Sequence, residues 1–400
     1  MNKSYTGVAL LAALAGCAWG ASASAAAGGR FKLQLNGEVT YDSNVARSDE
    51  ALAALRGIKP SDVIFTPTLE MDILQPVSRE SVFLNGLVGY DFYDKNHVLN
   101  NARLDLHGGV NGQLSRCKGT FTAGYARHQS DLQYLTLAAT KNVEEVKSVT
   151  LDGDCGRRIG LAPTFSVSQV WSDESARVLA TSSFRALTAT VGMAYRRPSF
   201  GELSAYVRYN DTTYPDRNLL TVPGLVEDGF KSYSGGARYE RKLGAKIELA
   251  GHLGYTSLKP NVAGLIGFDG ATYGADISVR PSSRIKTTFK FDRSVNPSDR
   301  PDTTYSLDEI YSLEGLYSAS QRLQFTLGGS QATSHLRGSA LISGLDLADE
   351  RVRAVYGSVR LQMGRRLFFT LDARREVRNA NIVSYNYGDT RVGLSVSAAF

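Results

Sequence analysis

The sequence predicts an all-β protein: a transmembrane, antiparallel, up-and-down β-barrel of about eighteen strands, with sixteen as the alternative count. Three observations carry this. Side chains alternate apolar and polar with a period of two through most of the chain, and that is the period of a strand. The alternating segments run to about eleven residues, longer than a usual globular strand and long enough for a tilted strand to cross a bilayer. The links between them are short and long in turn, as in an outer-membrane barrel.

Composition excludes other classes. The chain has 400 residues, 42% hydrophobic and 21% charged, with 39 Gly, 20 Tyr and 11 Pro. No apolar run long enough for a spanning helix lies beyond the N-terminus, so a helical membrane protein is excluded. Plentiful aromatics and mixed charge exclude a disordered chain. Lys and Arg number 45 against 39 Asp and Glu, and this mild excess is spread along the chain with no basic block for nucleic acid. A soluble β-propeller would recur at a similar spacing. It is disfavoured by strand length and by the lack of a Gly-His…Trp-Asp repeat, Trp171 being the one Trp outside the signal segment.

The elements follow in order. Residues 1–25 read as an export signal, with Lys3 as the positive start, an apolar stretch at 8–16 and small-residue cleavage sites at 21–27. Leu14-Ala15-Gly16-Cys17 also looks like a lipoprotein box, but the Ala-x-Ala sites and the strand opening at Phe31 favour ordinary cleavage near Ala25. The mature chain then enters a compartment where disulfides form. Residues 26–400 are expected to form a single barrel domain. Its first segment shows the rule: Phe31, Leu33, Leu35, Val39 and Tyr41 share one face, and Lys32, Gln34, Asn36, Glu38 and Thr40 the other. The same template gives strands at 31–42, 62–74, 81–93, 101–114, 119–128, 144–153, 158–171, 184–196 and 202–210. It continues at 230–241, 245–256, 270–280, 284–294, 308–317, 322–332, 351–363, 367–378 and 389–400. Pro67 and Pro163 each remove a ladder donor and are expected to mark bulges.

Short links fall at 75–80, 115–118, 242–244, 281–283 and 364–366, and long ones at 43–61, 129–142, 211–229, 333–350 and 379–388. Both terminal strands then end on the short-turn, periplasmic side. Aromatics occupy one height on the apolar face: Tyr41, Tyr90, Tyr125, Trp171, Tyr209, Tyr255 and Phe291 near long links, and Tyr195, Tyr239, Tyr317 and Phe400 near short ones. Two such girdles are expected at the lipid interfaces.

The polar face is the expected lumen, because a barrel of this size encloses an aqueous channel. By parity it carries Arg103, His107, Arg208, Arg238, Glu240, Asp276, Arg280, Lys286, Lys290, Arg360, Asp372 and Arg374. Glu38, Glu70, Asp91, Asp105, Asp292 and Glu376 share that face, as do the aromatics Phe83, Tyr93, Tyr206 and Tyr356, which could stack on sugar rings. These charges either contact solutes or pair across strands and hydrate the wall. No Gly-x-Ser-x-Gly or HExxH motif is present, and no two of His97, His107, His128, His252 and His335 are four apart. No enzyme activity, metal or cofactor is expected. His97 and His335 are expected in long links, and Asp42-Ser43-Asn44 in a loop-opening turn. Pairing the strands through the 129–142 link sets Cys117 opposite Cys155, with Phe121 opposite Leu151, so a disulfide at the periplasmic rim is predicted.

The final alternating segment ending in Phe400 resembles the assembly signal of Gram-negative outer-membrane barrels. The stretch from Tyr41 to Asp49, YDSNVARSD, resembles the start of the β-barrel porins encoded with exopolysaccharide operons, the EpsL type, which is similar in length and covers the whole mature chain. That resemblance implies a passive conduit across the outer membrane in exopolysaccharide biosynthesis and export. The implied partners are outer-membrane lipid, the barrel-assembly machinery engaging Phe400, periplasmic export proteins and the polysaccharide itself. A general or sugar-selective diffusion porin is the alternative, and a structural or adhesive barrel a further one.

Overall fold

A computed structural model describes residues 29–130, 141–156, 159–220, 225–298, 300, 303–337, 349–381 and 383–400. The export signal, Cys17 and the cleavage site near Ala25 lie outside the described residues, as does most of the link at 129–142. The strands are β1 (Arg30–Asp42), β2 (Asp62–Val77), β3 (Glu80–Tyr93), β4 (Asn101–Leu114), β5 (Cys117–Gln129), β6 (Val143–Cys155), β7 (Gly160–Glu174), β8 (Phe184–Arg197) and β9 (Gly201–Leu220). They continue as β10 (Leu225–Leu243), β11 (Ile247–Pro260), β12 (Phe268–Ser282), β13 (Ile285–Pro297), β14 (Tyr305–Ser318), β15 (Leu323–Arg337), β16 (Asp349–Met363), β17 (Leu367–Ala380) and β18 (Tyr387–Ala399). One short helix, α1 (Glu50–Leu55), lies between β1 and β2.

The strands form one 18-stranded sheet in which each pairs with its sequence neighbours, and β1 pairs with β18 to close the barrel. All the pairings are antiparallel, and the seam sets Val39 opposite Leu394 and Leu35 opposite Ala398. Closure leaves no open edge. It also turns one apolar face outward all round. Leu253 is 63% exposed, Leu327 68%, Val355 62% and Leu394 53%. Such a continuous apolar belt on a closed barrel is solvated by lipid rather than water. No helix among the described residues is long and apolar enough to cross a membrane; the crossing is made by strands.

Turn chemistry fixes the short side. Gly244 and Gly364 adopt φ of 61° and 70° in their turns, a left-handed conformation that glycine adopts without steric cost. Ser78 and Ser115 take the same region, at 59° and 56°, each followed by Arg. The long links all fall at the other end.

The structure corrects several expectations. Residues 211–220 and 225–229, read as a long link, continue β9 and β10 into an extended hairpin, with Tyr214 opposite Asp228 and a bulge between Glu227 and Asp228. Asp211, Pro215 and Asp216 look like loop residues, but Thr212 and Tyr214 are fully buried there and hold the hairpin. His335 lies within β15 rather than in a link. Neither Pro67 nor Pro163 marks a bulge. Pro67 keeps register with Gly37 and only interrupts the β2–β3 ladder, between Phe65–Phe92 and Thr68–Gly89. Pro163 pairs in register with Met193.

Candidate functional site

The inner wall is built from the alternate residues of every strand, and the predicted charged residues occupy those alternate positions. They fall into two kinds of arrangement. Some pair across neighbouring strands: Lys290 Nζ lies 3.4 Å from Asp276, Arg280 3.8 Å from Glu248 and Arg103 3.4 Å from Asp91. Others pair along one strand, where residues two apart share a face: His107 with Asp105 at 2.8 Å, Arg238 with Glu240 at 2.6 Å and Arg374 with Glu376 at 2.6 Å. Parity places both partners of these pairs inward but does not show which neighbour each charge chooses. Lys286 and Asp372 form no ion pair among the described residues.

Guanidinium groups also lie over inward aromatic rings. Arg208 sits 5.5 Å from the Tyr206 ring, Arg374 6.0 Å from that of Tyr356 and Arg360 4.4 Å from that of Phe368. The Tyr356 hydroxyl donates to Glu314. In the ring order, β9 with Tyr206 lies nearly opposite β16 and β17 with Tyr356 and Arg374. The β9 wall thus offers a flat ring beside an exposed guanidinium, the chemistry that stacks on and hydrogen-bonds a polar ring. On the facing wall the Arg374 guanidinium is engaged by Glu376 and leaves the Tyr356 ring as the stacking surface. Tyr93 does not belong to this open wall, because it packs against a buried cluster at the mouth. His128 and His252 face acids, Glu144 at 3.3 Å and Asp292 at 3.6 Å. Among the described residues no group of three or more His, Cys, Asp or Glu could hold a metal ion.

The long-link end carries what sequence parity did not find. The first link folds over the lumen instead of outward. Asp42 opens it with a turn in which its carboxylate accepts from the Asn44 amide at 2.8 Å. Asp49 caps α1 by accepting from the Leu52 amide at 2.8 Å. Val45, Ala46, Ala53 and Ile58 are buried with Leu99 of the β3–β4 link and Leu179 of the β7–β8 link. β1 and β7 lie a third of the way round the barrel from each other, so this apolar contact crosses the mouth.

Arginines clasp these segments together. Arg47 pairs with Asp42 at 2.8 Å and with Asp389 at 2.5 Å. Asp389 also accepts from Arg391, and Glu376 from Arg374 and the Tyr387 hydroxyl. Glu350 takes both Arg378 at 2.5 Å and Arg300 at 3.0 Å. Arg217 donates to Asp228 and to the carbonyls of Thr181, Thr303 and Arg300, and lies 4.1 Å from the Tyr214 ring. The chain of contacts thus runs from β9 and the β7–β8 link, through Arg300 and Thr303, to β16 and β17. Arg56 donates to the Ala46 carbonyl. Burial pushes its pKa down, opposed by Tyr385 and Asp49, but a guanidinium stays charged in a protein. A signal for this arrangement was present: residues 45–58 hold Val45, Ala46, Leu52, Ala53 and Ile58, too apolar for a link surrounded by water, although the neighbouring Leu55 stays exposed.

At the opposite rim Cys117 and Cys155 form a disulfide, with a Cα separation of 3.9 Å, in the register expected of β5 and β6.

No family model and no curated protein matches the chain. Among solved structures it is similar to Pseudomonas aeruginosa OccK2 (OpdF) in complex with glucuronate, at 13% identity over 93% of this chain and 98% of that one, with a TM-score of 0.51. OccK2 (OpdF) in a second crystal structure gives the same identity, coverage and TM-score. Pseudomonas aeruginosa OpdO is 14% identical over 93% of this chain and 97% of that one, with a TM-score of 0.49. The likeness is one of fold, a closed 18-stranded antiparallel barrel. With its lipid-facing belt, the chain is a membrane-spanning β-barrel.

Proposed function

We propose that the protein is a passive diffusion channel selective for small polar solutes of the sugar or sugar-acid class. The observation that carries this reading is the mouth. Inward-folded segments held by Arg47, Arg217, Arg300 and Arg378 narrow a charged, hydrated lumen. A narrowed mouth followed by the Tyr206–Arg208 wall and the facing Tyr356 ring suits a solute the size of one sugar ring. Guanidinium groups add an affinity for carboxylates, and OccK2 was crystallised with glucuronate. In this reading flux needs no catalysis and no driving partner. Assembly relies on lipid and on the assembly machinery recognising the strand that ends at Phe400.

The exopolysaccharide reading has less support. It rests on the YDSNVARSD stretch, and the comparisons add nothing to it. Here Asp42 and Arg47 of that stretch anchor the inward link, a role that follows from local geometry in any channel of this build. A polymer conduit would also need a wider mouth than one covered by folded links.

Purified protein in liposomes tests the proposal by osmotic swelling. Vesicles should swell faster in glucose or glucuronate than protein-free controls and should exclude dextran. Removal of residues 44–58 should raise single-channel conductance. Swelling no faster than controls, or free passage of dextran, would overturn the reading.

A further inference from the structure

The short-turn rim carries a pattern that the lumen does not explain. Each short turn whose residues are described holds an exposed cation at or beside its tip: Arg79, Arg116, Arg197, Lys246, Arg284, Arg322, and the pair Arg365 and Arg366. None forms an ion pair among the described residues, and no Asp or Glu lies within those turns. The acids nearby are already engaged. Asp154 and Glu202 hold Arg196, Glu248 holds Arg280 and Asp72 holds Arg30. Glu80, exposed beside Arg79, and Asp152, three residues inside the end of β6, are the exceptions. A ring of uncompensated positive charge therefore follows the circumference of the barrel.

The height of the ring identifies what it meets. Outward aromatics mark the lipid interface at this end: Tyr195 is 40% exposed, Tyr317 44% and Phe325 38%, and Tyr239 donates to the Phe200 carbonyl. Arg197 follows Tyr195 by two residues on the same outward face, about 7 Å further along the strand. Arg322 lies in the turn between Tyr317 and Phe325, whose rings stack with centroids 6.3 Å apart. Aromatic rings settle at headgroup level, so cations one step beyond them stand among phosphates.

We propose that the periplasmic rim is a circumferential binding surface for the phosphate headgroups of anionic phospholipid in the adjoining leaflet. A protein partner would call for a patch on one sector. A ring that follows the lipid boundary through every described turn matches a ligand that surrounds the barrel. The charge is complementary, and clustered Lys and Arg beside a membrane favour anionic lipid additively.

The test uses the full-length protein in phosphatidylcholine vesicles with trace spin-labelled phosphatidylglycerol or spin-labelled phosphatidylcholine. The fraction of each label immobilised by the barrel is read by electron paramagnetic resonance. Native protein should prefer phosphatidylglycerol by about twofold or more, and the preference should fall as salt screens the rim. The combined rim variant Arg197→Gln, Arg284→Gln, Arg322→Gln and Arg366→Gln should bring the ratio close to one. Folding of each variant is checked by heat-dependent gel migration. A lumen variant with the same charge change, Arg208→Gln, Lys286→Gln, Lys290→Gln and Arg360→Gln, should keep the preference. Equal immobilisation of both labels by native protein would overturn the proposal. So would an unchanged preference in the rim variant, or an equal loss in the lumen variant. Loss of preference to inorganic phosphate, but not to chloride of the same ionic strength, would also overturn it and mark a free-anion site instead.

Discussion

The Arg47 guanidinium lies 2.5 Å from the Asp389 carboxylate, and this fully buried carboxylate on β18 thereby holds down the link that leaves β1. Removing one partner of a buried pair leaves the other charge uncompensated. Arg391 still holds Asp389 in Arg47→Ala, but buried Asp42 loses its ion-pair partner, so the inward link should loosen by about 3 kcal/mol. Planar-bilayer recordings should show larger and noisier conductance with the barrel intact on gels. An unchanged conductance would mean that the link does not govern the mouth.

Charge reversal on the lumen wall should change selectivity without blocking assembly. Arg238→Glu sets a second carboxylate beside Glu240 at a half-exposed position. The reversal potential in a salt gradient should move towards cation preference, and lost stability should stay within about 1 kcal/mol. Arg280→Glu, next to Glu248, should act in the same direction.

Side-chain parity is testable by paired substitutions. Leu253 faces lipid and Ser278 faces the lumen, where its hydroxyl lies 2.9 Å from that of Thr288. Leu253→Arg should cost about 2–4 kcal/mol in folding into lipid, and Ser278→Arg far less. Similar unfolding midpoints for the two variants would contradict the assigned faces.

The Cys117–Cys155 bridge closes a loop with a sequence separation of 38. Loop-closure entropy sets its worth at up to about 4 kcal/mol, and less where the two strands are already paired. Cys117→Ser should lower the urea midpoint in lipid, and reductant should have no further effect on that variant.

The fold was legible because the lipid belt imposes a strict period of two. Phe31 to Tyr41 and Val392 to Phe400 show that period with hardly a break, and even the Cys117–Cys155 register followed from it. The mouth was legible only in part. Its apolar link residues, Val45 to Ile58, were visible as a stretch, but the partners of Arg47, Arg217 and Arg300 lie on strands far away in sequence. No local pattern announces such pairings. The hairpin of β9 and β10 was missed because Pro215 and Asp216 favour turns locally, whereas burial of Tyr214 decides the matter through contacts with Ser298 and Thr304.

The seam has a consequence for how the barrel forms. Leu33 and Phe400 exchange backbone hydrogen bonds, the Phe400 amide donating to the Leu33 carbonyl at 2.8 Å. Every other ladder joins neighbours in sequence, but this one joins the two ends of the strand order, so its loop-closure entropy is the largest in the molecule. A nascent chain can therefore zip hairpin by hairpin and still expose the edge of β1 until β18 arrives. The slow, committing event should be this ring closure, and a chain stalled before it would present a free strand edge to other chains or to quality-control proteases.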